Sequence, residues 1–277
     1  MIERFKLRKL IENALREDIG SGDVTTLATV KENKKGTAKA IAKADAIVAG
    51  IEIFGEVFQV YSDEVRFKAV SADGHLARKG TVVAEISGTM RSILTAERVA
   101  LNIFQRMCGI ATLTRRYVDM VKGTKARILD TRKTGPGLRD LEKYAVRVGG
   151  GFNHRIGLYG GVLIKDNHIT AAGGITKALK NVRDNVPLTL KIEVEVKNIR
   201  EVEEALSAGC DIIMLDNMNT DEMREAVALI DGRVAIEASG NVNLSNVREI
   251  AETGVDFISV GALTHSAPAA DISLLIS

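Results

Sequence analysis

From Lys125 to Gly261 the chain alternates short apolar runs with amphipathic segments. The runs end at Asp130, Lys165, Glu195, Asp216, Ser239 and Gly261. The last four ends lie about 20–23 residues apart, the spacing of compact βα units. Between them, apolar positions recur every three or four residues over 176–182, 199–208, 220–230 and 245–252, one stripe per predicted helix. Asn or Thr stands near several of these starts, and Gly just past the ends, as in Ala208-Gly209 and Thr253-Gly254. Six strands are fewer than the eight of a closed barrel. The pattern therefore predicts an incomplete α/β barrel, or one with strands too weak to read. Polar and charged residues sit at the C-terminal end of each strand, which in a barrel is the catalytic face.

Upstream the pattern differs. Phe5, Leu7, Leu10, Ile11 and Leu15 have helical spacing over 2–16, and 18–23 breaks that helix. Residues 37–42 alternate as a half-buried strand does; a short helix follows around 53–61, then a strand at 65–70. Asp73-Gly74 and Lys79-Gly80 mark turns. This reads as a small α+β sandwich with an antiparallel sheet. Residues 95–122 form a long helical pattern, with Thr95 as its cap and Val99, Ile103, Met107, Ile110 and Leu113 on one face. Gly109 is placed to kink or break it, and Gln105, Met107 and Cys108 read as ordinary core and surface. The expected division is 1–110, joined by a C-terminal tail at 267–277, and a catalytic barrel at 111–266.

Composition removes several function classes. A formal net charge of +2 over 277 residues argues against bulk nucleic-acid or membrane binding. Trp is absent and aromatics are 4%, so no base-stacking platform is expected. Cys108 and Cys210 are isolated, which excludes a disulfide framework or thiolate zinc site and fits a reducing cytoplasm. No signal peptide or membrane-spanning run is expected.

Candidate chemistry concentrates at 128–168. Asp130-Thr131-Arg132-Lys133 opens this stretch, Lys165-Asp166-Asn167-His168 closes it, and Arg139, Lys143, Arg147, His154 and Arg155 lie between. A concave site so lined selects anions. Glu193 and Glu195 project to one side of a strand by period two, and Asp216-Asn217 ends the next strand. Two carboxylates at neighbouring strand ends suit Mg²⁺, which leaves coordination positions to water and substrate phosphates. Ser239-Gly240 and Gly261 end the last two strands, where barrels hold phosphate on backbone N–H groups. Gly149-Gly150-Gly151 is not a dinucleotide fingerprint, and His154, His168 and His265 lack metal-ligand spacing. Together these residues describe group transfer between anions, governed by electrostatic positioning.

The runs DTRKTGPGLRDLEKYAVRVGGGFNHRIGL, GVLIKDNHI and VGALTHSAPAADISL resemble the quinolinate phosphoribosyltransferase family. EDIGSGDVTT, DGHLARKGTVVAEISG and ILTAERVALNIFQRMCGIAT extend the similarity over nearly the whole chain. The resemblance implies an N-terminal open-faced sandwich and an incomplete barrel. It implies transfer of phosphoribose from 5-phosphoribosyl-1-pyrophosphate to quinolinate, with loss of CO₂ and pyrophosphate, using Mg²⁺. It also implies a homodimer or larger homo-oligomer in which Arg98 enters the partner's site. Arg132, Lys133, His154, Arg155 and Lys165 match residues holding the quinolinate carboxylates. Glu195 and Asp216 match those facing ribose and Mg²⁺–pyrophosphate, and Ser239, Gly240 and Gly261 match the phosphate loops. Lys133 or Lys165 is the expected source of the replacement proton. Asn241 stands where the family usually has Gly, and Gly160 where it often has an acid; altered loop geometry is the expected result. Three other readings compete: an aldolase-like barrel with a Schiff base on Lys165; a paralogous phosphoribosyltransferase that uses a different acceptor without decarboxylation; and a biotinyl- or lipoyl-type carrier over 37–88, which lacks a lysine at a recognisable hairpin tip.

Overall fold

The computed structural model describes residues 2–276. These form two compact units. Of the described residues, the first comprises 2–115, 135–150 and 266–276; the second comprises 116–134 and 151–265.

The first unit opens with α1 (Arg4–Ile19), which buries Leu7, Ile11 and Leu15, and α2 (Val24–Thr29), capped by the Asp23 side chain. The strands β1 (Lys35–Ala42) and β2 (Ala46–Ile47) lead into α3 (Ile51–Tyr61). Then follow β3 (Arg66–Ala69), β4 (Leu76–Ala77), β5 (Val82–Thr89) and the long helix α4 (Met90–Met120). The alternation of β1 buries Ala38, Ala40 and Ala42 on one face. Phe54 anchors the core: its ring stacks on Phe104 at 4.8 Å and meets Phe58 edge-on at 5.4 Å.

The second unit carries β6 (Arg127–Leu129) and, after α5 (Arg139–Val148), runs β7 (Val162–Ile164), α6 (Asp166–Ala172), α7 (Ile175–Asn185), β8 (Ile192–Val196), α8 (Ile199–Ser207), β9 (Ile212–Asp216), α9 (Thr220–Ile230), β10 (Ala235–Ser239), α10 (Val247–Glu252), β11 (Phe257–Ser259) and α11 (Ala262–His265). The last strand, β12 (Ile272–Ile276), returns to the first unit and pairs antiparallel with β1. That sheet has the order β12-β1-β5-β3.

The barrel strands form one parallel sheet in the order β6-β11-β10-β9-β8-β7. A parallel bridge between Leu129 and Phe152 extends it by one residue beyond β6. The sheet stays open between Phe152 and β7, so the barrel is incomplete. Helices lie between successive strands and turn their apolar stripes to the core, for example Val202 and Ala205 on α8, and Met223, Ala226 and Ile230 on α9. Asn198 and Asn219 cap α8 and α9 through their side chains, as the sequence pattern indicates.

Several details depart from the sequence reading. Helix α4 begins at Met90, five residues before Thr95. It also passes Gly109 unbroken. The glycine is required by a neighbour instead: a Cβ at Gly109 would collide with the Pro268 carbonyl and approach Ala269 Cα at 3.1 Å. Gln105 holds the same tail, donating from Nε2 to Ile272 O at 2.7 Å and accepting from Ala270 N at 2.9 Å. Residues 135–150, expected within the barrel segment, pack with the first unit. There Glu142 is buried and paired with Arg106 (Nε to Oε1, 2.8 Å). Tyr144 donates to Asp73 at 2.7 Å, and Arg115 Nε donates to Gly149 O at 3.0 Å. Among the described residues no helix is long and apolar enough to cross a membrane.

Replacing Gly109 by Ala sets helix propensity, worth about 1 kcal/mol in favour of Ala, against a clash with backbone. Overpacking of this kind costs about 1–3 kcal/mol, and backbone cannot swing aside as a side chain can. The expected outcome is a melting midpoint lowered by about 2–6 °C. An unchanged or higher midpoint in calorimetry would contradict this account of the tail.

Candidate active site

The strand ends of the second unit enclose a cleft of about 790 Å³. Its residues come from one face of the sheet, because side chains alternate along each strand. Register sets them in rows: Glu195 pairs with Met214 and Met214 with Glu237, while Asp216 pairs with Ser239. Lys165 follows β7 and Gly261 follows β11 by the same parity.

One wall is cationic. Arg132 and Lys133 follow β6, and Lys165 follows β7. The Lys133 carbonyl accepts from buried Thr264 at 2.7 Å, which fixes the backbone beneath this lysine. His154 and Arg155 belong to the unpaired stretch that spans the sheet opening. No ladder holds that stretch, so side chains do. Buried Asp130 accepts from His154 N at 2.9 Å and from Asn153 Nδ2 at 2.5 Å. Arg155 donates through Nη1 to Gly161 O at 3.1 Å. Burial, and then the positive charge of Arg132, lower the Arg155 pKa from its ordinary value. Two guanidiniums brought this close favour an anion between them.

The floor is acidic. Lys165 Nζ meets Glu195 Oε2 at 2.6 Å, a charge-assisted contact. Glu193 accepts from His154 Nε2 at 2.9 Å, and Glu237 Oε2 lies 3.6 Å from the same nitrogen. Sequence reasoning missed Glu237. It stands two residues before Ser239 on β10, so strand parity places both on one face, and a lone acid inside an apolar run was the available signal. Burial, and next the charge of Glu193, raise Glu237 well above the ordinary carboxylate range. His154, Glu193 and Glu237 converge closely enough to hold a cation. Asp216 is half-buried in the next row and accepts from Asn217 Nδ2 at 2.9 Å.

The far end is built from tight loops. Asn217, Gly240 and Asn241 adopt φ of 57°, 95° and 48°. Asn217 N donates to Ser239 O at 2.9 Å, and Asn241 Nδ2 donates to Asn217 Oδ1 at 2.9 Å. A Cβ at Gly240 would strike the Asn217 amide. A Cβ at Gly261 would sit 3.1 Å from His265 Nε2 and 3.2 Å from Lys133 Cδ. His265, unassigned in the sequence reading, lines this end too.

The cleft thus brings together Arg132, Lys133, His154, Arg155, Lys165, Glu195, Asp216, Ser239, Gly240 and Gly261. Arg98 is exposed on α4 and does not line it. Arg139, Lys143 and Arg147 lie on α5 and do not line it either. His168 acts locally, accepting from Lys165 N at 2.9 Å. Neither thiol is a nucleophile candidate, since burial pushes Cys108 up to about 12 and Cys210 up to about 11.

Comparison with known proteins gives a consistent picture. The family description "Quinolinate phosphoribosyl transferase, N-terminal domain" matches residues 23–108, and the corresponding C-terminal domain matches 110–275. A Synechocystis protein named probable nicotinate-nucleotide pyrophosphorylase [carboxylating] is 47% identical, covering 96% of this chain and 91% of its own. A Bacillus subtilis protein of the same name is 43% identical, covering 99% and 94%. The crystal structure of NadC from Streptococcus pyogenes aligns with a TM-score of 0.96 at 41% identity, over 100% of this chain and 98% of that one.

The raised pKa of Glu237 has a consequence for stability. The folded chain keeps a proton on this acid that the unfolded chain releases. Stability is therefore lost as pH rises from the ordinary glutamate value, 4.5, toward the raised folded value. Glu237→Gln removes that penalty. The melting midpoint of the variant relative to the parent should climb as pH rises above the ordinary glutamate value, 4.5. A difference that stays flat or falls over this range would contradict the assignment.

Proposed function

The chain belongs to the quinolinate phosphoribosyltransferase family, and from that premise we propose that its cleft joins quinolinate to 5-phosphoribosyl-1-pyrophosphate, releasing CO₂ and pyrophosphate and leaving nicotinate mononucleotide for de novo NAD biosynthesis. The observation that supports this most is the polarity of the cleft: guanidinium and ammonium groups on one wall, carboxylates in the middle, tight glycine loops at the far end.

Arg132, Arg155, Lys133 and Lys165 hold the two quinolinate carboxylates, with His154 beside them. A dianion there relieves the crowding of Arg132 and Arg155. Ser239, Gly240 and Gly261 hold the 5′-phosphate of the donor through backbone and hydroxyl groups. The pyridine nitrogen attacks the anomeric carbon without a general base, because it bears no proton. Positive charge develops on the ribose as pyrophosphate leaves, and Glu195 or Asp216 stabilises it. The product ring is cationic at nitrogen, which stabilises the carbanion left at the adjacent carbon when CO₂ departs. Lys133 or Lys165 delivers the replacement proton.

Glu195 and Asp216 offer hard oxygen donors beside the phosphate end, a set that fits Mg²⁺ with the remaining positions left to water and phosphate. When bound, Mg²⁺ neutralises charge on the pyrophosphate. Arg98, exposed and outside its own cleft, acts in the site of a second subunit of a homodimer or larger homo-oligomer. The enzyme works in the cytoplasm, where its two free, buried thiols are at home. The Schiff-base alternative at Lys165 would require its Nζ to give up the 2.6 Å contact with Glu195 Oε2.

Incubation with quinolinate, phosphoribosyl pyrophosphate and Mg²⁺ should yield CO₂ and pyrophosphate in equal amounts. A folded protein that makes neither refutes the assignment. Arg132→Ala should cost about 3–5 kcal/mol of transition-state binding, roughly 10²–10³-fold or more in kcat/KM.

Subunit mixing tests the role of Arg98. Arg98→Ala and Arg132→Ala proteins, each nearly inactive, should regain activity when their subunits exchange, because some hybrids then contain one intact site. Exchange without recovery would place Arg98 in its own subunit's chemistry.

A further inference from the structure

We infer that Glu193 is a positioning residue that acts through His154: it turns the imidazole inward, so that His154 shapes the cleft with its ring and offers no nitrogen to the bound dianion. This rests on the reading of the cleft as a quinolinate site and assigns the work within it.

His154 lies on the stretch that crosses the open edge of the sheet, where no strand ladder fixes it. Its backbone N–H is held by Asp130 Oδ1 at 2.9 Å. Its ring is held at both nitrogens. Nδ1 accepts the Arg155 backbone N–H at 2.8 Å. An acceptor at Nδ1 leaves the ring proton on Nε2. That nitrogen faces Glu193 Oε2 at 2.9 Å and so donates to it. The Glu193 side chain is 6% exposed and the His154 side chain 13%, so little water competes for this bond.

Glu193 can reach the ring because β8 is pinned on both sides. Glu193 pairs with Leu163 of β7 and with Ile212 of β9, which turns its side chain toward the same face as Glu195. Glu237 approaches the same nitrogen at 3.6 Å from β10, beyond hydrogen-bond range, and closes the third side. The imidazole is therefore committed to the protein at every polar atom. What it presents to the cleft, which it lines, is ring carbon. An aromatic dianion would find a flat apolar surface there, while Arg132, Arg155, Lys133 and Lys165 take its carboxylates.

Four variants test the inference: His154→Ala, Glu193→Ala, Glu193→Gln and the double alanine. Each is first checked for a cooperative melt. His154→Ala and Glu193→Ala should each lower kcat/KM for quinolinate by about tenfold or more, with KM for the phosphoribosyl donor within about threefold of the parent. The double variant should be no worse than His154→Ala alone. Glu193→Gln, whose amide carbonyl still accepts from Nε2, should stay within about threefold of the parent. Losses that multiply in the double variant overturn the inference, as does a fully active His154→Ala.

Long-range ¹H–¹⁵N spectra of histidine-labelled protein give a readout independent of turnover. The Nε2–H tautomer of His154 is expected, disturbed in Glu193→Ala; an Nδ1–H tautomer overturns the inference. Elemental analysis after chelation and dialysis covers the remaining use of this cluster. One retained metal ion per chain, lost in Glu193→Ala, would make the triad a metal centre and the inference wrong. Failure of the parent to form product would refute the proposed reaction, whereas the spectra would still decide the Glu193–His154 pairing.

Discussion

Strand β7 pairs on one side with β8, and its other edge faces no strand. Phe152 touches β6 through a single bridge and goes no further. The chemistry of the second unit depends on this gap. A closed barrel fills its interior with layers of branched apolar side chains. Here the interior instead contains Glu193, Glu195 and Glu237, each nearly out of contact with water. Buried carboxylates need partners, and the gap admits them. The stretch that crosses it brings His154 to Glu193, while Lys165 at the edge strand reaches Glu195.

The cleft is consequently a set of opposed charges. Lys165 has Glu195, and His154 has Glu193. Arg155 lies half-buried near Arg132, and burial together with that neighbouring positive charge lowers its pKa. On the acidic side the balance is struck differently. Glu193 and Glu237 cannot both hold charge cheaply in so dry a place, and the deeper of the two retains its proton. One local rule, that a charge buried without a counter-charge is expensive, sets the state of both walls.

Much of this was legible in the sequence, for a physical reason. Parallel strands buried on both faces must be nearly continuous apolar runs, so the first polar residue marks the strand end, and strand ends share one face of the unit. Asp216 and Ser239 stand in register because of that rule. What stayed hidden was partner identity. The period of Leu141, Ala145 and Val146 announces a buried helix face but cannot say which unit buries it. Gly109 announces a special position but not its cause, which lies in Pro268, far along the chain. Glu237 was hidden by its setting, since one acid among apolar residues reads as a strand defect until register puts it across from Met214 and next to Glu195's row. Arg98 is singled out by resemblance alone, and it stands exposed on α4.

The two departures from the family pattern separate once backbone conformation is considered. At Asn241 the family's usual glycine would supply a left-handed φ. Asn241 adopts φ 48° itself, a conformation that asparagine tolerates better than other side chains. It then uses its amide to hold Asn217 Oδ1, which ties the two loops together. Its neighbour Gly240 has no such latitude, because a Cβ there would strike the Asn217 amide. Gly160 is the opposite case. Its φ is not in the left-handed region, and a Cβ would come no closer than 3.3 Å to Ile156 N. Conformation does not demand a glycine at 160, and the acid often found there would fit with a small adjustment. This loop end of the cleft is therefore constrained by backbone shape, and its side chains are replaceable where they preserve that shape.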